Sequence, residues 1–245
     1  MTYVWAHRGA SGYAPENTLE AFALADKMKA DGIELDVHLS KDGEIIVTHD
    51  ENVQRVTCGV DAMVKDLTLA ELKKLDVYNG IEGYRNVRIP TLPEVLDFLK
   101  TNNLYLNIEL KTGVVLYDGI EQKTIDAVRA AGLQDRVIYS SFNHYSLLKV
   151  RRLDPNAVCG LLYDAMLYQP WDYARQLGVQ ALHPHFSEPT FVTGEVEAAH
   201  RLGLSVNVWT VNEEADLRRM AEMDCDGIIS NYPDVALRVL REVRG

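Results

Sequence analysis

Two carboxylates interrupt an apolar strand pattern in GIELDVHLSKDGEIIVTHD, residues 32–50. Glu34 and Asp36 stand where alternation calls for Val or Leu, and strand period 2 puts them on one face. The same rule puts Glu109 and Lys111 on one face of YLNIELK, 105–111. Carboxylates gathered in one place repel, at about 4 kcal/mol for two unit charges ~4 Å apart in an effective dielectric near 20. One divalent cation would neutralise them. An all-oxygen donor set favours Mg²⁺, with Ca²⁺ or Mn²⁺ as alternatives, over zinc. Ordinary ion pairs, such as Lys111 with Glu109, are the competing reading; for E-x-D and E-x-K together the metal is the better one.

Two histidines end separate strand-like runs, His7-Arg8 after YVWA and His49-Asp50 after EIIVT. A lone histidine is more often structural. A pair beside a carboxylate cluster supplies a proton acceptor and a proton donor near neutral pH, as hydrolysis of a phosphate ester needs. Arg8 offers a fork for phosphate and Lys111 a point charge, with an ion pair from Arg8 to Glu16 or Asp36 as the alternative. Asp50, on the opposite strand face from His49, is expected to serve the insertion or hairpin rather than the metal.

Positioning these groups requires strands whose ends meet. Strand-like runs fall at 3–9, 32–40, 105–111, 136–142, 157–163, 181–186, 205–211 and 227–233. Between and after them, apolar residues at i, i+3, i+4 and i+7 predict helices over 17–30, 91–102, 119–132, 145–154, 169–178, 193–203, 212–223 and 234–243. Thr193 and Asn212 are expected N-caps, and Gly132, Gly178 and Gly203 expected C-terminal stops. Strict alternation predicts an α/β TIM (β/α)₈ barrel, with a doubly wound sheet as the rival. The first strand lacks the G-x-G-x-x-G turn of a dinucleotide-binding sheet. A barrel brings the polar strand ends to one face. Residues 41–90 break the rhythm as a small insertion between strand 2 and helix 2. KDGE (41–44) predicts a turn that pairs Leu39 with Ile45 and brings Thr48 or His49 opposite Asp36. A short helix is expected at 67–76, and the segment is expected to lie over the barrel mouth.

The 245 residues suit one such barrel, 1–245, and bury a sufficient core without staples. A net charge of −11 argues against nucleic acid and anionic membrane surfaces as large partners. MTYVWAHRG has no basic, apolar leader pattern, and no apolar run approaches ~18 residues, so neither a signal peptide nor a membrane anchor is expected. Cys58, Cys159 and Cys225 are scattered, which predicts buried, reduced thiols and a cytoplasmic location.

HRG (7–9), PENT (15–18), ELDV (34–37), THD (48–50), IELK (108–111), SSF (140–142), VWTVN (208–212) and SNYPD (230–234) together resemble the glycerophosphodiester phosphodiesterases. The motifs run in that family's order across nearly the whole chain. The resemblance implies metal-dependent hydrolysis of a small glycerophosphodiester to glycerol 3-phosphate and an alcohol; a monomer or homodimer is expected. It implies Glu34, Asp36 and Glu109 as metal ligands, His7 and His49 as the acid–base pair, and Arg8 and Lys111 as phosphate holders. By the same resemblance Glu16 and Asn17 line the site, with Glu16 touching substrate or the metal shell and Asn17 capping the first helix or orienting a neighbour. Trp209 packs against glycerol, or else closes the barrel top. Two rivals are a phospholipase acting on lysolipids or phosphoinositides and a non-catalytic phosphate-binding module. The first needs an apolar groove or docking surface; Tyr163, Met166, Leu167 and Tyr168 could form a lip but more simply cover a helix. The second has no use for a proton-transfer pair.

Overall fold

A computed structural model describes residues 2–187 and 194–245. Eight parallel strands form a closed barrel: β1 (Tyr3–His7), β2 (Gly32–Leu39), β4 (Tyr105–Leu110), β5 (Val137–Ser141), β6 (Val158–Tyr163), β7 (Ala181–Pro184), β8 (Ser205–Val208) and β9 (Gly227–Ser230). Pairing of β1 with both β2 and β9 completes the closure. An open doubly wound sheet is thereby excluded. β2 is buried at all eight positions, because one face looks into the barrel and the other against helices.

Helices follow the strands on the outside: α1 (Leu19–Lys27), α4 (Leu92–Leu99), α5 (Ile120–Ala131), α6 (His144–Leu153), α7 (Pro170–Leu177), α8 (Glu195–Arg201), α9 (Glu214–Glu222) and α10 (Pro233–Arg244). Among the described residues, none is long and apolar enough to cross a membrane. Gly132, Gly178 and Gly203 stand at or just past helix C-termini with φ of 72°, 68° and 73°, which favour glycine. The expected cap Thr193 lies outside the described residues. Asn212 does not cap α9: its Oδ1 accepts from Asn231 N at 3.0 Å and Ser230 Oγ at 3.3 Å, leaving Glu213 at the N-cap without a side-chain bond. Asn17 is also displaced from the cap, which Thr18 provides by accepting from Ala21 N.

The hairpin forms as its turn predicts. β3 (Ile45–Val47) runs antiparallel to β2, Leu39 lies opposite Ile45, and Thr48 N donates to Asp36 O at 3.1 Å. Beyond it the expected helix at 67–76 shortens to α3 (Leu69–Leu72), fixed by a Thr68/Glu71 capping box. An unforeseen single turn, α2 (Gln54–Thr57), precedes it. The segment buries its own apolar cluster, including Ile46, Val56, Leu72 and Ile89.

Register does the positioning. His7 pairs with Glu34, Asp36 with Glu109, and Glu109 with Ser140, so the polar residues of β1, β2, β4 and β5 stand at neighbouring levels.

Candidate active site

Glu34, Asp36 and Glu109 are buried, and each offers an oxygen within 4.8 Å of those of the other two. Burial, then the charges of Asp36 and Glu109, push the Glu34 carboxyl well above its ordinary range. Burial and the Asp36 charge raise Glu109 to about 7. Asp36 goes the other way: burial alone would raise it, but Arg8, His49 and Lys111, with a bond from Asn17, hold it below the usual carboxylate range. Asp36 Oδ1 is buried with no hydrogen-bond partner among the described residues. Crowded carboxylates and an orphaned oxygen are the conditions under which a hard divalent cation fits.

The cations the sequence assigns to phosphate stand around this cluster. Arg8 takes a left-handed backbone, φ 55°, and its N donates to Glu34 Oε2 at 3.0 Å. Its Nη1 donates to Glu16 Oε1 at 3.1 Å, and Nε lies 3.4 Å from Asp36 Oδ2. The predicted alternative for Arg8, pairing with Glu16 or Asp36, is therefore what the side chain does, with both carboxylates. Lys111 Nζ lies 2.9 Å from Glu109 Oε1 and 3.8 Å from Asp36 Oδ1. Glu109 and Asp36 raise the pKa of Lys111 despite the opposing effect of burial, so it stays a cation.

The two histidines are held differently. An ammonium has only protons to give, so Lys111 Nζ, 3.2 Å from His49 Nε2, fixes that nitrogen as the acceptor. Nδ1–H then donates to Asp50 Oδ1 at 2.6 Å. Asp50 thus orients His49, a role beyond the one expected of it in the insertion or hairpin. It is itself held by Arg55 Nε at 2.7 Å. His7 donates Nδ1–H to an amide oxygen, Asn231 Oδ1, at 2.6 Å, and its Nε2 stands 4.0 Å from Glu34 Oε2. Burial, with Arg8 close by, pushes His7 down to about 4.

A third histidine holds His49 from behind. His38 is fully buried, one step along the Glu34/Asp36 face of β2, and its Nε2 lies 2.9 Å from His49 O. A carbonyl can only accept, so Nε2 carries the proton and Nδ1 accepts from Tyr117 Oη at 3.0 Å.

One cleft is lined by His7, Arg8, Glu34, His49, Glu109 and Trp209, among others. Asp36, Lys111 and Glu16 adjoin these residues without lining it. Glu16 is gripped bidentately by Arg55, at 2.7 and 2.8 Å, as well as by Arg8. Asn17 Nδ2 donates to Asp36 Oδ2 at 2.8 Å, the orienting role rather than the capping one. Trp209 meets Phe142 edge-on at 5.4 Å and donates Nε1–H to His183 O at 2.7 Å. Asn231, Arg55, His38 and Tyr117 were missed as site residues from sequence. Asn231 lies within the SNYPD motif and Asp50 follows His49, so both carried a signal; Arg55 carried none.

A family model described as the glycerophosphoryl diester phosphodiesterase family matches residues 7–235. A glycerophosphodiester phosphodiesterase of Caldanaerobacter subterraneus subsp. tengcongensis is 44% identical over 244 residues, spanning 98% of each chain. Another, from Bacillus altitudinis, is 37% identical over 246 residues and the full length of both. Among solved structures, a phosphodiesterase of Oleispira antarctica in complex with the product sn-glycerol-3-phosphate superposes with a TM-score of 0.86 at 31% identity. The match covers 98% of this chain and 97% of that one.

Proposed function

The chain belongs to the glycerophosphoryl diester phosphodiesterase family and is a phosphodiesterase, and on that premise we propose metal-dependent hydrolysis of glycerophosphodiesters to glycerol 3-phosphate and an alcohol. Glu34, Asp36 and Glu109 would hold one divalent cation, Mg²⁺ in first place and Ca²⁺ or Mn²⁺ as alternatives. The observation that carries this reading is the convergence of those three oxygens within 4.8 Å, with His7 paired beside Glu34.

When bound, the cation supplies neutralisation of charge at a phosphate oxygen as phosphorus becomes five-coordinate. Arg8 and Lys111 turn from their carboxylate partners towards the phosphate and orient it. The histidines divide the proton work by their partners. His7 leans on a neutral amide and is held down as a neutral imidazole, which suits it to take the proton from the attacking oxygen. His49, its Nδ1–H held by the Asp50 carboxylate, would give a proton from Nε2 to the leaving alcohol once Lys111 has turned away from that nitrogen. The new P–O bond forms from water, or first from the substrate's own 2-hydroxyl with later opening of a cyclic phosphate, as the alcohol's P–O bond breaks. Trp209 packs against the glycerol carbons, and Glu16, held by Arg55, lies beside the substrate or the metal shell.

The whole chain is read as one unit, with 41–90 closing over the mouth. Arg55 and Asn79, both from that segment, reach Glu16. Coupled detection of glycerol 3-phosphate released from glycerophosphocholine, glycerophosphoethanolamine and a diester lacking glycerol tests the reading. Release from the first two alone supports it, and equal turnover of all three would reduce it to a general diesterase.

A further inference from the structure

The most exposed apolar side chains are not scattered. Val114, Leu116, Tyr145, Met166 and Tyr168 are 67–89% exposed, while no other large apolar side chain among the described residues exceeds 44%. All five fall at or just after the C-terminal ends of three neighbouring barrel strands: 114 and 116 after β4, 145 after β5, 166 and 168 after β6. Those ends share a rim with the catalytic cleft. Leu116 and Tyr145 face one groove. Phe142, also after β5 and 44% exposed, belongs to the cleft lining itself and joins the two. Met166 and Tyr168 do not cover a helix, as their sequence context suggests; Tyr163 and Leu167 turn inward instead.

A soluble surface scatters its exposed apolar groups singly, so a cluster on one rim marks a contact. We propose that this rim docks the protein reversibly onto a zwitterionic lipid surface, with the cleft turned towards the lipid. Charge chooses the occupant. Asp118 and Asp164 are exposed within the same loops, and both nearby lysines are tied to carboxylates: Lys111 to Glu109 at 2.9 Å and Lys149 to Glu121 at 2.8 Å. Among the described residues, no cluster of free cations stands on these loops to meet an anionic lipid, and the net charge of −11 opposes one. Exposed carboxylates instead suit the outward ammonium of a phosphatidylcholine-type headgroup. Tyrosines beside aliphatic and thioether groups suit the headgroup–acyl boundary. Five side chains without a basic patch give weak, reversible attachment, not an anchor.

The test uses the full chain with phosphatidylcholine vesicles and, separately, phosphatidylglycerol vesicles, read by cosedimentation. The quadruple variant L116S/Y145S/M166S/Y168S changes only exposed groups outside the catalytic cleft. Its melting temperature and its turnover of soluble glycerophosphocholine should match wild type. Wild type should bind phosphatidylcholine, and the variant at least about tenfold less. The half variants L116S/Y145S and M166S/Y168S should each lose part of the binding. Absence of wild-type binding, equal binding by the quadruple variant, or preference for phosphatidylglycerol would overturn the proposal. So would a wild-type oligomer, seen by light scattering, that the variant converts to monomer without any vesicle binding: the rim would then join two copies of the chain.

Discussion

His49 and Asp50, neighbours in the chain, share a hydrogen bond of 2.6 Å from imidazole Nδ1–H to carboxylate Oδ1. His7 has only the amide oxygen of Asn231 in the same position, also at 2.6 Å. On the proposed mechanism, these two different partners would make His49 the acid and His7 the base.

Replacing the leaving alcohol therefore distinguishes them. His49→Ala should lose at least ~10² in kcat on glycerophosphocholine but much less on a glycerophosphoryl aryl ester, whose phenolate leaves without a proton. His7→Ala should lose similarly on both. Asp50→Asn should follow His49→Ala in pattern at smaller size. Steady-state rates on the two substrates decide it, and equal losses for His49→Ala on both would reverse or abolish the assignment.

The Tyr117–His38 chain fixes the backbone of His49 through bonds of 3.0 and 2.9 Å. His38→Ala should lower kcat about tenfold while leaving KM nearly unchanged, since it displaces a proton donor and not the substrate. His38→Gln, which keeps a donor, should recover part of the loss. A pure KM effect, or no recovery with Gln, would leave His38 as core packing.

Cation binding should strengthen with pH. The folded, metal-free protein holds a proton on Glu109 up to about 7, whereas the unfolded chain releases it near the ordinary 4.5. Raising pH through that window therefore destabilises the metal-free fold, and Glu34 has the same sign. His7, pushed down to about 4, acts oppositely over an overlapping range, so the total pH dependence of melting is blunted. The increment added by Mg²⁺ isolates the carboxylates. Calorimetry should show a larger rise in Tm with Mg²⁺ at about pH 8 than at about pH 5. Equal rises would separate cation binding from these carboxylates.

Much of the site is readable from strand periodicity. Glu34 with Asp36, and Glu109 with Lys111, follow from period 2, and KDGE determines the return of His49, because both are local consequences of backbone geometry. What escaped depends on distant partners. Asn231 meets His7 across 224 positions and Tyr117 meets His38 across 79, and no local pattern encodes either. Asn212 has a good capping side chain, but Ser230 and Asn231 take its oxygen, a tertiary bond overriding a local preference. The helix expected at 67–76 is shorter because the apolar residues of 41–90 close a small cluster of their own rather than a long helical face.

The central claim is that Glu34, Asp36 and Glu109 hold a cation that glycerophosphodiester hydrolysis requires. Glycerol 3-phosphate release from glycerophosphocholine, followed on chelator-stripped protein as Mg²⁺, Ca²⁺ or Mn²⁺ is titrated back, tests it most directly. Stripped protein should be silent and recover with at least one of the three, while Asp36→Asn stays silent throughout. Full turnover by stripped protein, or a wild-type response from Asp36→Asn, would contradict the account.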